Sequence, residues 1–292
     1  MFKKEADQYI IIGGVYKGGT TSLYTYLAMH DLVCGSTKKE TEYFNKDSVS
    51  LPDYRRYFTS CSQGQNFLEA SPGYLYGGQE VNKRIRSILG TVKIIFILRD
   101  PVERFLSDYR HMVKTMHLPK GTSISEYFQI MKNGQNGEFP NSLEQGEYVY
   151  FLKDWLDGND EDVKVIFFED LTSKTLETVV SLCDWLGIPS DPYLEVQFGI
   201  ENKSVQYKNK MAHSLAYFVF NKFESFFRRN YKIKSRLRAI YFSLNTKEFD
   251  NGKGQKERKM LEGYYDKSIR DLRHLLLSRG YENLPGWMQV PD

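Results

Sequence analysis

The sequence predicts an α/β fold, with a central parallel sheet flanked by helices on both faces and a helical C-terminal third. Three observations carry this. Runs of apolar β-formers recur as short unbroken stretches, without the alternation of a half-exposed sheet, and so read as strands buried on both faces. Helical stretches of similar length separate them. The 292 residues contain no Pro/Gly/Ser-rich linker, internal repeat or low-complexity tract, so a single domain spanning 1–292 is expected.

Strands are expected near Tyr9 to Gly14, Asn66 to Glu69, Val92 to Leu98 and Val163 to Phe168. Between them, helices are expected over Ser22 to Met29, Glu80 to Leu89, Val102 to His111 and Glu147 to Leu156, with Pro101 suiting the first turn of the third. Crossovers between parallel strands should be right-handed. Beyond them no strand signal appears, and helices are expected near Met211 to Arg228, Ser235 to Ser243 and Lys256 to Arg279.

Forty basic against thirty-seven acidic side chains leave a formal net charge of +3, too balanced for bulk nucleic-acid binding. An anionic ligand must therefore be held locally. Cys34, Cys61 and Cys183 are scattered and odd in number, without His or Cys at metal spacing, and read as thiols of a reducing compartment. The apolar run after Lys3 and Lys4 is one strand long and holds the glycine loop, so it is neither a signal peptide nor an anchor.

The junction Gly13-Gly14-Val15-Tyr16-Lys17-Gly18-Gly19-Thr20-Thr21-Ser22 reads as a phosphate cradle. Glycines allow close backbone approach, the helix N-terminus presents N–H groups and partial positive charge, and Lys17 adds a full charge. A nucleotide-triphosphatase loop places its lysine after the glycines, next to a Ser/Thr that holds Mg²⁺. Here Lys17 precedes Gly18-Gly19, which argues against metal-ATP. Farther on, Arg99 stands at the carboxyl end of a strand, where doubly wound sheets bind ligands. Ser107 follows about two helical turns later, and the pair suits a second phosphate.

Together these segments resemble the PAPS-dependent sulfotransferases, above all the heparan sulfate enzymes and their bacterial relatives. Lys39-Glu40-Thr41-Glu42-Tyr43-Phe44 is similar to that family's acceptor segment, Glu69-Ala70-Ser71-Pro72-Gly73-Tyr74 to its Glu-Lys-Thr/Ser-Pro-x-Tyr segment, and Phe168-Glu169-Asp170-Leu171, with the helix Leu176 to Gly187, to a later strand end and helix. Ala70 departs from the family's lysine, and Glu42 from its histidine.

The resemblance implies a P-loop-like fold and a donor, 3′-phosphoadenosine 5′-phosphosulfate (PAPS), that leaves as adenosine 3′,5′-bisphosphate, with no metal required. Lys17 and Gly18, Gly19, Thr20, Thr21 and Ser22 would hold the 5′-phosphosulfate, Arg99 and Ser107 the 3′-phosphate. Lys208 and Lys210 fall where a loop closes over the donor. Glu40 is implied as the base and Lys17 as the stabiliser of the leaving phosphate, with His111 an alternative base; Glu42, Glu69 and Ser71 would face the acceptor.

That acceptor is expected to be a carbohydrate or glycoconjugate hydroxyl, with a lipid or small alcohol as the alternative. A P-loop kinase and a non-catalytic module binding adenosine bisphosphate or glycan are the rival classes. Lys222 to Arg238 interleaves basic and aromatic residues; it reads first as an amphipathic helical pair packed on the sheet, and second as a contact for anionic lipid or polyanion. A cytoplasmic, bacterial enzyme is expected.

Overall fold

The computed structural model describes residues 8–115, 117–119, 121–137, 140–158, 161–196, 198, 206–207, 237, 246–247 and 255–289. They fall into two compact units, 1–201 with 256–292, and 202–255.

The larger unit is built on five parallel strands: β1 (Tyr9–Gly14), β2 (Val33–Gly35), β3 (Asn66–Ala70), β4 (Val92–Leu98) and β5 (Val163–Phe167). Their order is β2-β3-β1-β4-β5. Ile11 pairs with Glu69 on one side and Ile94 on the other, which makes β1 the central strand. Alternate residues feed two cores, as unbroken apolar strands require. Ile11, Ile94, Phe96 and Val165 pack on one face, Ile10, Ile12, Ile95 and Ile97 on the other.

The first core is covered by α3 (Gly78–Leu89), α4 (Pro101–Lys114), α5 (Ile124–Lys132) and α6 (Val149–Leu156). The C-terminal helix Gln255–Ser278 joins them, burying Leu261, Tyr265, Leu272 and Leu276. The second core is covered by α1 (Thr20–Leu27) and α8 (Thr175–Leu186). Two short helices, α2 (Leu51–Arg55) and α7 (Phe168–Ser173), complete this unit. The doubly flanked parallel sheet is the expected fold. Three details differ. α1 begins at Thr20 rather than Ser22, because Gly19 turns the chain at φ 92° and starts the helix early. β2 went unforeseen, three residues being too few to show a period.

The third difference is in the smaller unit, where β6 (Gln206–Tyr207) and β7 (Thr246–Lys247) pair antiparallel. This corrects the expectation of a strand-free C-terminal third; two-residue strands leave no sequence signal. The helices expected at Met211 to Arg228 and Ser235 to Ser243 lie outside the described residues except at Leu237, which is helical. Lys208, Lys210 and the basic-aromatic segment, apart from Leu237, also lie outside them. The remaining helix, Gln255–Ser278, is α9.

The cysteines are also corrected. Cys34 on β2 and Cys61 beyond α2 form a disulfide, with Cα atoms 5.6 Å apart and a sequence separation of 27. Cys183 alone is free, and burial pushes its thiol up to about 11. The bond closes the loop that carries Glu40 and Glu42, removing conformational freedom from the unfolded chain. The double variant Cys34→Ser/Cys61→Ser should lose about 3 to 4 kcal/mol of unfolding free energy. Urea titrations of both proteins check this; superimposable curves would show that the bond stabilises nothing.

Candidate active site

All five parallel strands end at one edge, and Lys17, Glu40, Glu42, Ser71 and Arg99 lie in the segments that leave β1, β2, β3 and β4 there. The chain runs from β1 to β2 and β3 on one side and returns to β4 and β5 on the other, so a topological switch point lies between β1 and β4. Lys17 follows β1 and Arg99 follows β4. They meet there, Arg99 Nη1 donating to the Lys17 carbonyl at 3.0 Å.

The loop after β1 is closed by the Gly18 N–H donating to the Val15 carbonyl at 3.0 Å. Any side chain at 18 would come within 2.6 Å of the Ile97 carbonyl oxygen, so only glycine fits. Lys17 adopts φ 65°, a left-handed conformation that costs a non-glycine residue and persists where the surroundings fix it. No side chain caps α1, and the first N–H groups of a helix have no intrahelical acceptor. Gly18's own N–H is committed to the loop. The Thr20 and Ser22 side chains are buried, as is that of Ser107. Burial lowers the Lys17 ammonium's proton affinity, and Asp108 opposes it.

Arg99 lies with its guanidinium 4.4 Å over the Phe168 ring, while the Tyr148 hydroxyl donates to its carbonyl at 2.8 Å. Asp100 caps α4 by accepting from the Val102 N–H at 2.8 Å. Ser107 follows on the helix, 5% exposed. His111, one turn beyond, is exposed; desolvation and then the Lys17 charge push it below the usual histidine range.

On the acceptor side, Glu69 at the end of β3 is fully buried. Its carboxylate accepts from Thr41 Oγ1 at 2.6 Å, Tyr54 OH and Ser71 Oγ at 2.7 Å, and Tyr74 OH at 3.2 Å. Burial pushes its pKa up and the four hydroxyls pull it down. Ser71, equally buried, accepts the Glu42 N–H at 3.0 Å. Glu69 and Ser71, expected to face an acceptor, have no exposed surface in this structure and are bonded to the loop that carries Thr41 and Glu42. Ala70 is buried in the sheet.

Glu42 and Glu40 differ sharply. Glu42 has φ 49°, and its carboxylate takes hydrogen bonds from Asn45 Nδ2 at 2.5 Å, the Gly73 N–H and the Tyr16 hydroxyl. Its Oε1 is buried with no hydrogen-bond partner among the described residues. Burial, then the charges of Glu40 and Glu69, push its pKa up. Glu40 instead stands 44% exposed, paired to Lys39 Nζ at 2.6 Å. Sequence reasoning missed Tyr16, stacked on Tyr76 with ring centroids 5.9 Å apart. Its only signal was its place beside Lys17. Among the described residues no group of three His, Cys, Asp or Glu side chains could hold a metal ion, and no helix is long and apolar enough to cross a membrane.

A family model for the sulfotransferase domain matches residues 7–259. Heparan sulfate glucosamine 3-O-sulfotransferase 3A1 of Mus musculus is 31% identical over 155 residues, covering 52% of this chain and 38% of that protein. Membrane-associated sulfotransferase kil1 of Dictyostelium discoideum is 32% identical over 123 residues, covering 41% of this chain and 26% of its own length. The chain thus spans well under half of these relatives. A solved sulfotransferase from Alicyclobacillus acidocaldarius has the same fold, with a TM-score of 0.57 at 24% identity over 73% of this chain and 91% of its own. With a family match running across most of its residues and the glycine-lysine loop and Arg–Ser pair at one crevice, the chain belongs to the sulfotransferase domain family.

Proposed function

We propose that the protein moves a sulfuryl group from PAPS to a hydroxyl of a carbohydrate or glycoconjugate. The observation that carries this is the contact between the two anion-binding loops. Arg99, with Ser107 beyond it, bonds to the carbonyl of Lys17, so cations for two separate phosphates share one crevice. The fit is tested at Lys17, whose partly buried ammonium stands just ahead of the N-terminal end of α1, where charge and helix dipole both suit an anion. The carbohydrate acceptor is supported by the names of relatives that act on heparan sulfate. We treat 1–292 as one catalytic domain because the family match crosses both compact units.

PAPS, when bound, supplies the sulfuryl group and a bisphosphate leaving group. The backbone of Gly19 to Ser22 and Lys17 hold the 5′ end, and Arg99 with Ser107 holds the 3′-phosphate. Lys17 neutralises charge as it grows on the leaving oxygen, an electrostatic contribution of the kind that dominates such transfers. Glu40 takes the acceptor hydroxyl's proton. It is favoured over Glu42 because a base must reach its substrate, and Glu42's carboxylate is already held by Asn45, Gly73 and Tyr16. The Cys34–Cys61 bond favours an oxidising compartment over the reducing cytoplasm that the scattered cysteines suggest.

Three measurements test the reading. Incubated with PAPS and a panel of glycans, lipids and small alcohols, the protein should yield sulfated products by mass spectrometry. Lys17→Ala should lower turnover roughly a hundredfold to a thousandfold. Near-normal turnover by that variant would remove Lys17 from the mechanism. Glu40→Gln should lower transfer by about two to four orders of magnitude with donor binding retained, and Glu42→Gln by less. The reverse ranking would make Glu42 the base.

A further inference from the structure

A second ring of charge surrounds the Arg99 end of the crevice. Glu103, Ser107 and Arg110 are spaced four and three residues apart on α4 and therefore share one face. Arg258, in the first turn of α9, reaches across from the far end of the chain and pairs through Nη1 with Glu103 Oε1, both side chains about 30% exposed, at 29% and 30%. Arg99 and Arg110 are both partly buried, which lowers their proton affinity, and in each case the Glu103 charge is the chief influence opposing that. Arg258 in turn repels Arg110. Three guanidinium groups thus crowd one carboxylate around Ser107. The other carboxylate near Arg99 is Glu169, whose Oε1 accepts the Asp100 N–H at 3.2 Å.

An exposed ion pair serves stability poorly, since the median such pair is worth little. A carboxylate set among three arginines beside a helical serine has another use: it mimics a phosphate. We propose that Arg110 and Arg258 join Arg99 and Ser107 in holding the 3′-phosphate, and that Glu103 is a built-in competitor that pairs with the arginines when no phosphate is bound and yields them when one arrives. This rests on the donor reading above. A competing carboxylate limits how tightly the spent bisphosphate is held, and release of product commonly limits turnover in enzymes that bind their cosubstrate with several charges. Glu103 also lies in the first turn of α4, where an acid suits the helix dipole. That local role predicts no ligand selectivity, whereas competition predicts selectivity for one phosphate.

Calorimetric titrations of the full chain with adenosine 3′,5′-bisphosphate and with adenosine 5′-monophosphate separate the roles. Wild type should prefer the bisphosphate. Glu103→Gln should bind the bisphosphate about five- to tenfold more tightly, the effect of removing one like charge near a dianion, and the monophosphate unchanged. Arg258→Gln and Arg110→Gln should each weaken the bisphosphate about fivefold or more and leave the monophosphate alone. Glu103→Gln and Arg258→Gln break the same ion pair, so loss of helix docking would move both variants the same way. Opposite signs are the mark of competition. If Glu103→Gln does not fold, Arg258→Gln and Arg110→Gln still decide: unchanged bisphosphate affinity, or equal losses for both ligands, overturns the proposal. So does a Glu103→Gln protein that binds the bisphosphate no better than wild type. A wild type that binds the two nucleotides equally well overturns the donor reading itself, and this proposal with it.

Discussion

The acceptor half of the crevice depends on one buried carboxylate. Moving an ion of this size out of water costs several kcal/mol even after relaxation, and Glu69 is tolerated only because four hydroxyls converge on it. Those four hydroxyls come from three parts of the architecture. Thr41 lies in the acceptor loop, Tyr54 on α2, and Ser71 and Tyr74 in the turn after β3. A single charge thereby ties strand, helix and loop together. Ser71 passes the constraint on, accepting the N–H of Glu42 and helping to hold that residue in its left-handed conformation.

From Glu42 the constraint crosses to the donor half. The Tyr16 hydroxyl bonds to Glu42, and Tyr16 is the residue before Lys17, whose backbone is also left-handed. Lys17 is bonded in turn by Arg99. A chain of contacts therefore runs from Glu69 through Ser71, Glu42, Tyr16 and Lys17 to Arg99, linking β3, β1 and β4 across the switch point. Two non-glycine residues with positive φ cost of order 1 to 3 kcal/mol each, and only surroundings that over-determine them keep them there. Glu69 and Arg99 stand at the two ends of that chain and supply those surroundings. Glu42, Lys17 and Arg99 are therefore held by the fold itself.

How much of this was legible in the sequence follows from the range of each interaction. Strands buried on both faces are written as unbroken apolar runs, so β1, β4 and β5 could be read within a residue of their ends. The glycine-lysine loop and the Arg99-Asp100-Pro101 turn are local, and their spacing survives as chemistry. The Cys34–Cys61 bond was not legible, because nothing in a separation of 27 residues says which thiols meet. Nor was the Glu103–Arg258 pair, whose partners lie on α4 and α9. Glu69 was half-legible. A glutamate ending an apolar strand signals a special site, yet burial turned an expected ligand contact into a scaffold.

The two carboxylates of the acceptor loop show why environment, rather than residue type, assigns roles. Glu40 and Glu42 are two residues apart and chemically equal in the sequence. In the fold, one stands at the solvent edge against Lys39, and the other is drawn inward among Tyr16, Asn45 and Gly73. Neighbouring titratable groups placed in unlike surroundings take unlike tasks. In the proposed transfer Glu40, at the solvent edge, is the carboxylate that takes the substrate proton. Glu42 is held too firmly for that, and its value lies in joining the two loops.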